Sequence, residues 1–323
     1  MTYSSGQRIE AADYNGFVST NVGANINATW NTAYGQTALA TVTGNSTQTV
    51  TATQWSTLVN TLTNMGAHQP TTITSRTAPQ AGNTISILAN VNADITSCYN
   101  NRFNAYAVGT QYTAWTGTNS KTGGTSGAAW TITFTNTITF ANATAANNFF
   151  NSGGYVQIQV SKSSTGLTGD PAWNALSGTV CGLIYITKGG VTQTIAGTSY
   201  TGTTKSGGTG TPTTLATTTG WDSLVANAAP TVVYKQFDTT APYTPNYIQH
   251  SLNKPTGSSQ LVITTLWSAN DSGPGNPDAI SGGTAASGAT PGTAPCTIVT
   301  YYPPESTYLT NTWGTPTVAA TVA

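Results

Sequence analysis

Two histidines, His68 and His250, and nine carboxylates carry most of the acid–base chemistry this chain can offer. Neither histidine lies in a metal-binding pattern such as His-Glu-x-x-His. His68 follows a glycine in Gly66-Ala67-His68-Gln69, a setting that reads as a loop hydrogen-bonder. Glycoside hydrolysis needs two carboxylates flanking a sugar. The pool is Glu10, Asp13, Asp94, Asp170, Asp222, Asp238, Asp271, Asp278 and Glu305. Glu10 and Asp13 fall near the start of an expected helix, where acids complement the dipole without a catalytic role. Asp170-Pro171 and Asp278 are turn-forming types. Asp271 and Asp278 share a Gly/Pro/Asn loop and are the best oxygen ligands for a calcium ion, but the loop lacks the acidic density of such a site. The glycine runs do not combine a preceding strand with Gly-Lys-Ser/Thr spacing, and Gly-x-Ser-x-Gly is absent, so phosphate cradling and acyl transfer have no support. We therefore assign no catalytic, cofactor-binding or metal-binding residue and expect no enzyme.

Aromatic side chains are the remaining binding resource. Trp115, Trp130, Trp173, Trp221 and Trp267, with Tyr112, Tyr155, Tyr200, Tyr243 and Tyr247, lie in a strand-rich region. Exposed rings stack on sugars, whereas rings on alternating strands belong to a core or a subunit interface, and the second reading is the stronger.

The elements that position these residues change character along the chain. Tyr14, Phe17, Val18, Val22 and Ile26 recur, after Ile9, at steps of mostly three to five residues, which predicts an amphipathic helix reaching about Trp30. Thr51-Ala52-Thr53-Gln54 is a capping box, and Trp55, Leu58, Val59, Leu62 and Met65 line one face of a second helix that Gly66 would end. A third stripe, Ile85, Leu88, Val91, Ile95, Cys98, Tyr99 and Arg102, lies within about 84–108. Between the first two, residues 38–42 and 48–50 flank Gly44-Asn45 as a candidate hairpin. Beyond Thr110 the period is two. Strands are predicted at 130–140, 155–160, 181–187, 191–195, 231–237, 247–252, 261–267 and 297–301, with one helical turn near 143–150. The fold class is α+β, an N-terminal helical segment followed by a mainly antiparallel, jelly-roll-like β-sandwich. Three parts are expected: 1–110 for docking and oligomerisation, 111–303 as the sandwich, and 304–323 as an extended arm ordered against a neighbour. Residues 119–127 and 201–210 read as similar, low-complexity loops.

Charge is the scarce commodity. Nine basic and nine acidic residues make 6% of the chain and a formal net charge of zero, against roughly 25% charged residues in ordinary globular proteins. The surface must be Thr, Ser, Asn, Gln and Gly, a neutral covering suited to close packing against identical subunits. No basic patch marks a nucleic-acid partner. The longest apolar runs, such as Leu183–Ile186, are far shorter than the ~20 residues of a membrane span, and Met1–Arg8 does not resemble a signal peptide. Cys98, Cys181 and Cys296 are widely spaced and odd in number, which favours free thiols.

Several strings, taken in order, resemble virion structural proteins of tailed bacteriophages of marine cyanobacteria and related hosts: Gly6-Gln7-Arg8-Ile9-Glu10-Ala11-Ala12-Asp13-Tyr14-Asn15, Tyr34-Gly35-Gln36, the run from Val50 to Asn60, and His68-Gln69. Fainter likeness continues through Trp130–Phe134, Phe149–Gly154 and Tyr301–Pro304. The resemblance implies a non-catalytic particle component, assembled in the host cytoplasm, whose partners are copies of itself and other virion proteins. A helical part would dock on the particle and a β part would face outward, in a tail fibre, neck or collar, or on the capsid. The alternatives are a glycan-binding host-recognition adhesin of the same particle and an envelope-degrading hydrolase.

Overall fold

The computed structural model describes residues 11–21, 23–43, 49–78, 80, 90–113, 129–162, 170–255, 257, 259–270 and 296–323. The helices are α1 (Ala11–Asn15), α2 (Ile26–Trp30), α3 (Ala52–His68), α4 (Val91–Asn100), α5 (Ala143–Asn151) and α6 (Asp170–Ala175). The strands are β1 (Tyr112–Thr113), β2 (Trp130–Thr139), β3 (Tyr155–Ser161), β4 (Leu183–Ile186), β5 (Thr192–Ile195), β6 (Thr198–Thr201), β7 (Thr203–Ser206), β8 (Thr214–Leu215), β9 (Thr231–Phe237), β10 (Tyr247–Asn253), β11 (Gln260–Ala269), β12 (Cys296–Tyr302) and β13 (Thr317–Val322).

The first expected helix breaks in two. α1 runs into a π turn over Gly16–Thr20 and stops. The chain turns at Gly23, which has φ of 86°, and restarts where Asn25 caps α2 by accepting from the Ala28 amide at 2.8 Å. Asn and Gly at 21–25 favour a turn and a cap over helix continuation, which outweighs the apolar periodicity. α3 carries the predicted capping box, with the Gln54 amide donating to Thr51 Oγ1 and the Thr51 amide donating to Gln54 Oε1. It continues past Gly66 to His68. Gly66 lets another segment approach: a Cβ there would meet the Thr71 carbonyl at 3.0 Å. Of the third stripe, 81–89 lie outside the described residues, and α4 is the part seen.

Residues 38–42 form no strand. Side-chain amides hold them as a strand neighbour would. Asn27 exchanges two hydrogen bonds with the Leu39 backbone, both 2.9 Å, and Asn15 exchanges two with Val42, at 2.7 and 2.8 Å. These clamps keep Leu39 and Val42 buried in a stretch that has no regular ladder.

The β region is a sandwich-like pair of sheets whose described strands pair antiparallel with one another, with a parallel bridge from Ile195 of β5 to Ala105. One sheet has the order β1-β12-β3-β4-β7 and the other β13-β2-β11-β10-β9-β8, with β5-β6 as a separate hairpin. Strand alternation is the cause. In β2, Trp130, Ile132, Phe134 and Ile138 are buried while the intervening threonines face outward. β2 pairs with β11 from Thr139↔Gln260 to Trp130↔Ala269, and β11 in turn buries Leu261, Ile263 and Trp267. Fully burying one such side chain contributes about 1.5–3 kcal/mol. The stretch 201–210, expected as loop, contains the whole of β7, which pairs with β4; its threonines and Lys205 form a sheet edge, where polar residues are tolerated. The 119–127 stretch lies outside the described residues. Near 143–150 the helix is α5, two turns rather than one.

One hydrophobic cluster takes in Tyr14, Trp55, Leu58 and Met65 from the helices, Phe134, Val299 and Trp267 from both sheets, and Leu309 and Trp313 beyond them. It therefore runs across the bounds expected at 110 and 303. Residues 304–323 pack on the chain itself rather than waiting for a neighbour: Leu309 and Trp313 are buried, and β13 pairs with β2 along its whole length. Tyr301, on the other sheet, donates to the Pro316 carbonyl at 3.0 Å and so ties the two sheets at this point.

Candidate functional site

Both histidines are buried and serve packing. His68 ends α3, fully covered, with Nε2 3.2 Å from the Ser152 carbonyl. A carbonyl only accepts, so Nε2 carries the proton, and Nδ1 has no partner among the described residues. Burial lowers the His68 pKa to about 4 and the His250 pKa to about 3. His250 lies in the sheet, stacked on Tyr234, with Nδ1 2.9 Å from Thr265 Oγ1. The structure does not bring the two histidines together: one fastens a helix to the turn after α5, and the other fills the six-stranded sheet.

The carboxylates are dispersed. Asp94 pairs with Arg76 and also accepts from the Thr74 amide at 3.1 Å. Asp222 pairs with Lys188. Asp238 accepts from the Thr240 amide at 2.8 Å, and Glu305 accepts from the amides of Ser306 and Thr307. Asp13 lies in α1 and Asp170 opens α6. Glu10, Asp271 and Asp278 lie outside the described residues. Cys98 and Cys181 are free and buried, and burial pushes both thiols up to about 12.

The aromatic residues divide between core and surface. Trp130, Trp173, Trp221 and Trp267 are buried, with Trp173 of α6 bridging the strand residues Trp130 and Trp267 at ring separations of 5.3 and 5.6 Å. Trp115 lies outside the described residues. Tyr155, Tyr185, Tyr200 and Tyr302 gather in a smaller cluster where β5-β6 folds against β3, β4 and β12. Tyr112 is exposed and stacks on Tyr301 at 5.0 Å.

The cations are the residues whose role sequence reasoning missed. Lys205 donates to the carbonyls of Gly207, Gly208 and Gly210 at 2.8–3.0 Å. Lys235 lies 3.7 Å over the Tyr247 ring and 4.7 Å over Phe237. Arg102 covers Tyr99 and Phe103, Lys254 lies 4.0 Å over Trp221, and Arg76 and Lys188 are in ion pairs. Lys162 is buried. The few charges of the chain are thus largely turned onto its own rings, carbonyls and carboxylates. Only the aromatic neighbour in Arg102-Phe103 and the three glycines after Lys205 hinted at this in the sequence.

A comparison with known proteins finds no matching family model, no matching curated relative and no matching solved structure. Among the described residues no helix is long and apolar enough to cross a membrane, and no group of three His, Cys, Asp or Glu could hold a metal ion.

The six-stranded sheet ends at β13. Ala323 and Thr133 exchange amide-to-carbonyl bonds at 2.9 Å in both directions. Alternation along an antiparallel ladder then turns the polar backbone groups of Thr317, Ala319 and Thr321 toward β2, and those of Val318, Ala320 and Val322 outward. Among the described residues no further strand meets that edge. It has no charge, proline or bulge, the usual devices that keep edges apart.

Proposed function

We propose that the chain is a non-catalytic structural component of a tailed-phage particle, tail- or neck-associated, that works by associating with copies of itself. What carries the reading is the disposition of its charges: a chain with so few ions also holds its described cations in internal contacts. The surface left over is neutral, with little self-repulsion to keep copies apart. The ordered run of strings resembling virion structural proteins supplies the particle context.

The β13 edge is the place for a second copy. In a two-fold antiparallel pairing centred on Ala320, the outward groups of Val318, Ala320 and Val322 meet those of Val322, Ala320 and Val318 of the other copy. Only small, uncharged side chains then face one another. Sedimentation of the purified chain tests this. Association is expected at micromolar concentration, and Ala320→Pro, which removes an outward amide but no bond to β2, is expected to abolish it. A wild-type chain that stays monomeric throughout would remove the self-association reading. Oligomers that survive Ala320→Pro would move the interface elsewhere. The particle context is tested separately by tracing the chain in images of purified virions.

A further inference from the structure

Arg102, Lys188 and Lys254 come from three distant parts of the chain and converge on one another. Close backbone approach builds the place where they meet. The Trp221 amide donates to the Thr187 carbonyl at 3.0 Å and the Asp222 amide to the Lys188 carbonyl at 2.7 Å. Gly189 and Gly220 make this possible: a Cβ on Gly189 would lie 2.5 Å from the Gly220 nitrogen. Gln193 fixes the third wall, donating to the carbonyls of Phe103 and Phe150 at 2.9 and 3.0 Å while accepting from the Lys188 amide at 2.9 Å.

Around this frame Arg102 Cζ and Lys188 Nζ lie 4.4 and 4.6 Å from the centre of the same Phe103 ring. Lys254 Nζ lies 4.0 Å over Trp221, whose sequence neighbour Asp222 is the counter-ion of Lys188. Lys188 and Lys254 are only 8% and 7% exposed. Asp222 neutralises Lys188, whereas the Lys254 carbonyl accepts the Asn227 amide at 2.8 Å and its ammonium meets no carboxylate among the described residues. The cluster holds three cations against one carboxylate, in a chain whose overall charge is zero. Burial, and for Lys188 also the charges of Arg102 and Lys254, lowers both lysines to about 8. Excess positive charge held away from water is costly unless an anion joins it.

We propose that Lys254, Lys188 and Arg102 form a binding site for an oxyanion, the carboxylate, sulfate or phosphate group of a ligand, which supplies the second negative charge beside Asp222. The proposal goes beyond self-association, since a monomer binds the anion equally well. It also gives Asp222 a competing role: its carboxylate occupies part of the field that the ligand needs.

Lysines reductively methylated with ¹³C keep their charge and give one resonance pair each, so the protein can be titrated at neutral pH with sulfate, inorganic phosphate and acetate in turn. The Lys254 and Lys188 signals are expected to move saturably at millimolar anion, while Lys235 and Lys205 do not. Lys254→Met is expected to weaken binding tenfold or more, Asp222→Asn to tighten it several-fold, and Lys235→Met to leave it unchanged. Preference for sulfate or phosphate assigns a tetrahedral group, and preference for acetate assigns a carboxylate. Lack of saturation with all three anions, or equal shifts at every lysine, overturns the site, as does unchanged affinity in Lys254→Met. Because the readout is independent of oligomeric state, it also separates this site from the assembly reading.

Discussion

Gln36 and Thr310, 274 residues apart, exchange two hydrogen bonds: the Gln36 side chain donates to the Thr310 carbonyl at 2.8 Å and accepts its amide at 2.9 Å. Thr312 adds a 2.6 Å bond to the Tyr34 carbonyl. A neutral side chain thereby seats the segment holding Leu309 and Trp313. Gln36→Leu strips both bonds and leaves the Thr310 amide and carbonyl to water, a loss of about 1–2 kcal/mol. Urea denaturation should report it, and amide exchange should quicken first at 310 and along β13. Even protection across the sheet would mean that β13 is held independently of Gln36.

Acid should weaken the fold from a definite pH downward. His68 and His250 have folded pKa values of about 4 and about 3, below the ordinary 6.5. The unfolded chain therefore binds more protons, and stability falls as pH drops below 6.5. Each histidine contributes a slope of about 1.4 kcal/mol per pH unit until its folded value is reached. Urea midpoints measured between pH 7 and 4.5 should decline accordingly. The variant carrying both His68→Gln and His250→Gln should lose most of that slope; an equal decline in both proteins would place the titration elsewhere.

Asn136 occupies a core-facing position of β2 with no exposure, and among the described residues neither polar atom of its side chain has a partner. Burying an amide in this way is costly. Asn136→Val suits the strand and removes the orphaned groups, so the thermal midpoint should rise, by about 1 kcal/mol in stability. A fall would point to a polar partner for Asn136 in the assembled state.

Removing residues 1–110 is informative because sequence and structure differ on what would remain. The break in periodicity at 110 predicts a separable sandwich. In the structure the helices share the sandwich's buried cluster, His68 reaches Ser152, and Gln193 reaches Phe103. The truncated chain is expected to lack a cooperative unfolding transition, and near-ultraviolet circular dichroism with a native-like tryptophan signal would contradict that.

The legible parts of the fold were those governed by local rules. Thr51 and Gln54 announce α3, and the alternation around Ile132 and Phe134 announces β2, because capping and pleat depend on neighbours a few residues away. Residues 38–42 misled because their ladder partners are the side chains of Asn15 and Asn27, which no periodicity reveals. β13 does not stand out in the sequence because Thr317-Val318-Ala319-Ala320-Thr321-Val322 has side chains too small to form a visible alternating stripe. The cation cluster is illegible for another reason: Arg102, Lys188 and Lys254 meet through long-range events, the contact of Gly189 with Gly220 and the bonds of Gln193 to Phe103 and Phe150.

The amide clamps at Asn15, Asn27, Gln36 and Gln193 bear on the medium in which the molecule works. Dissolved ions act on net charge, and these joints have none, so raising ionic strength leaves their attraction nearly undiminished. Joints of this kind hold equally well in brine and in dilute buffer, a tolerance that ion-paired joints at a protein surface do not have.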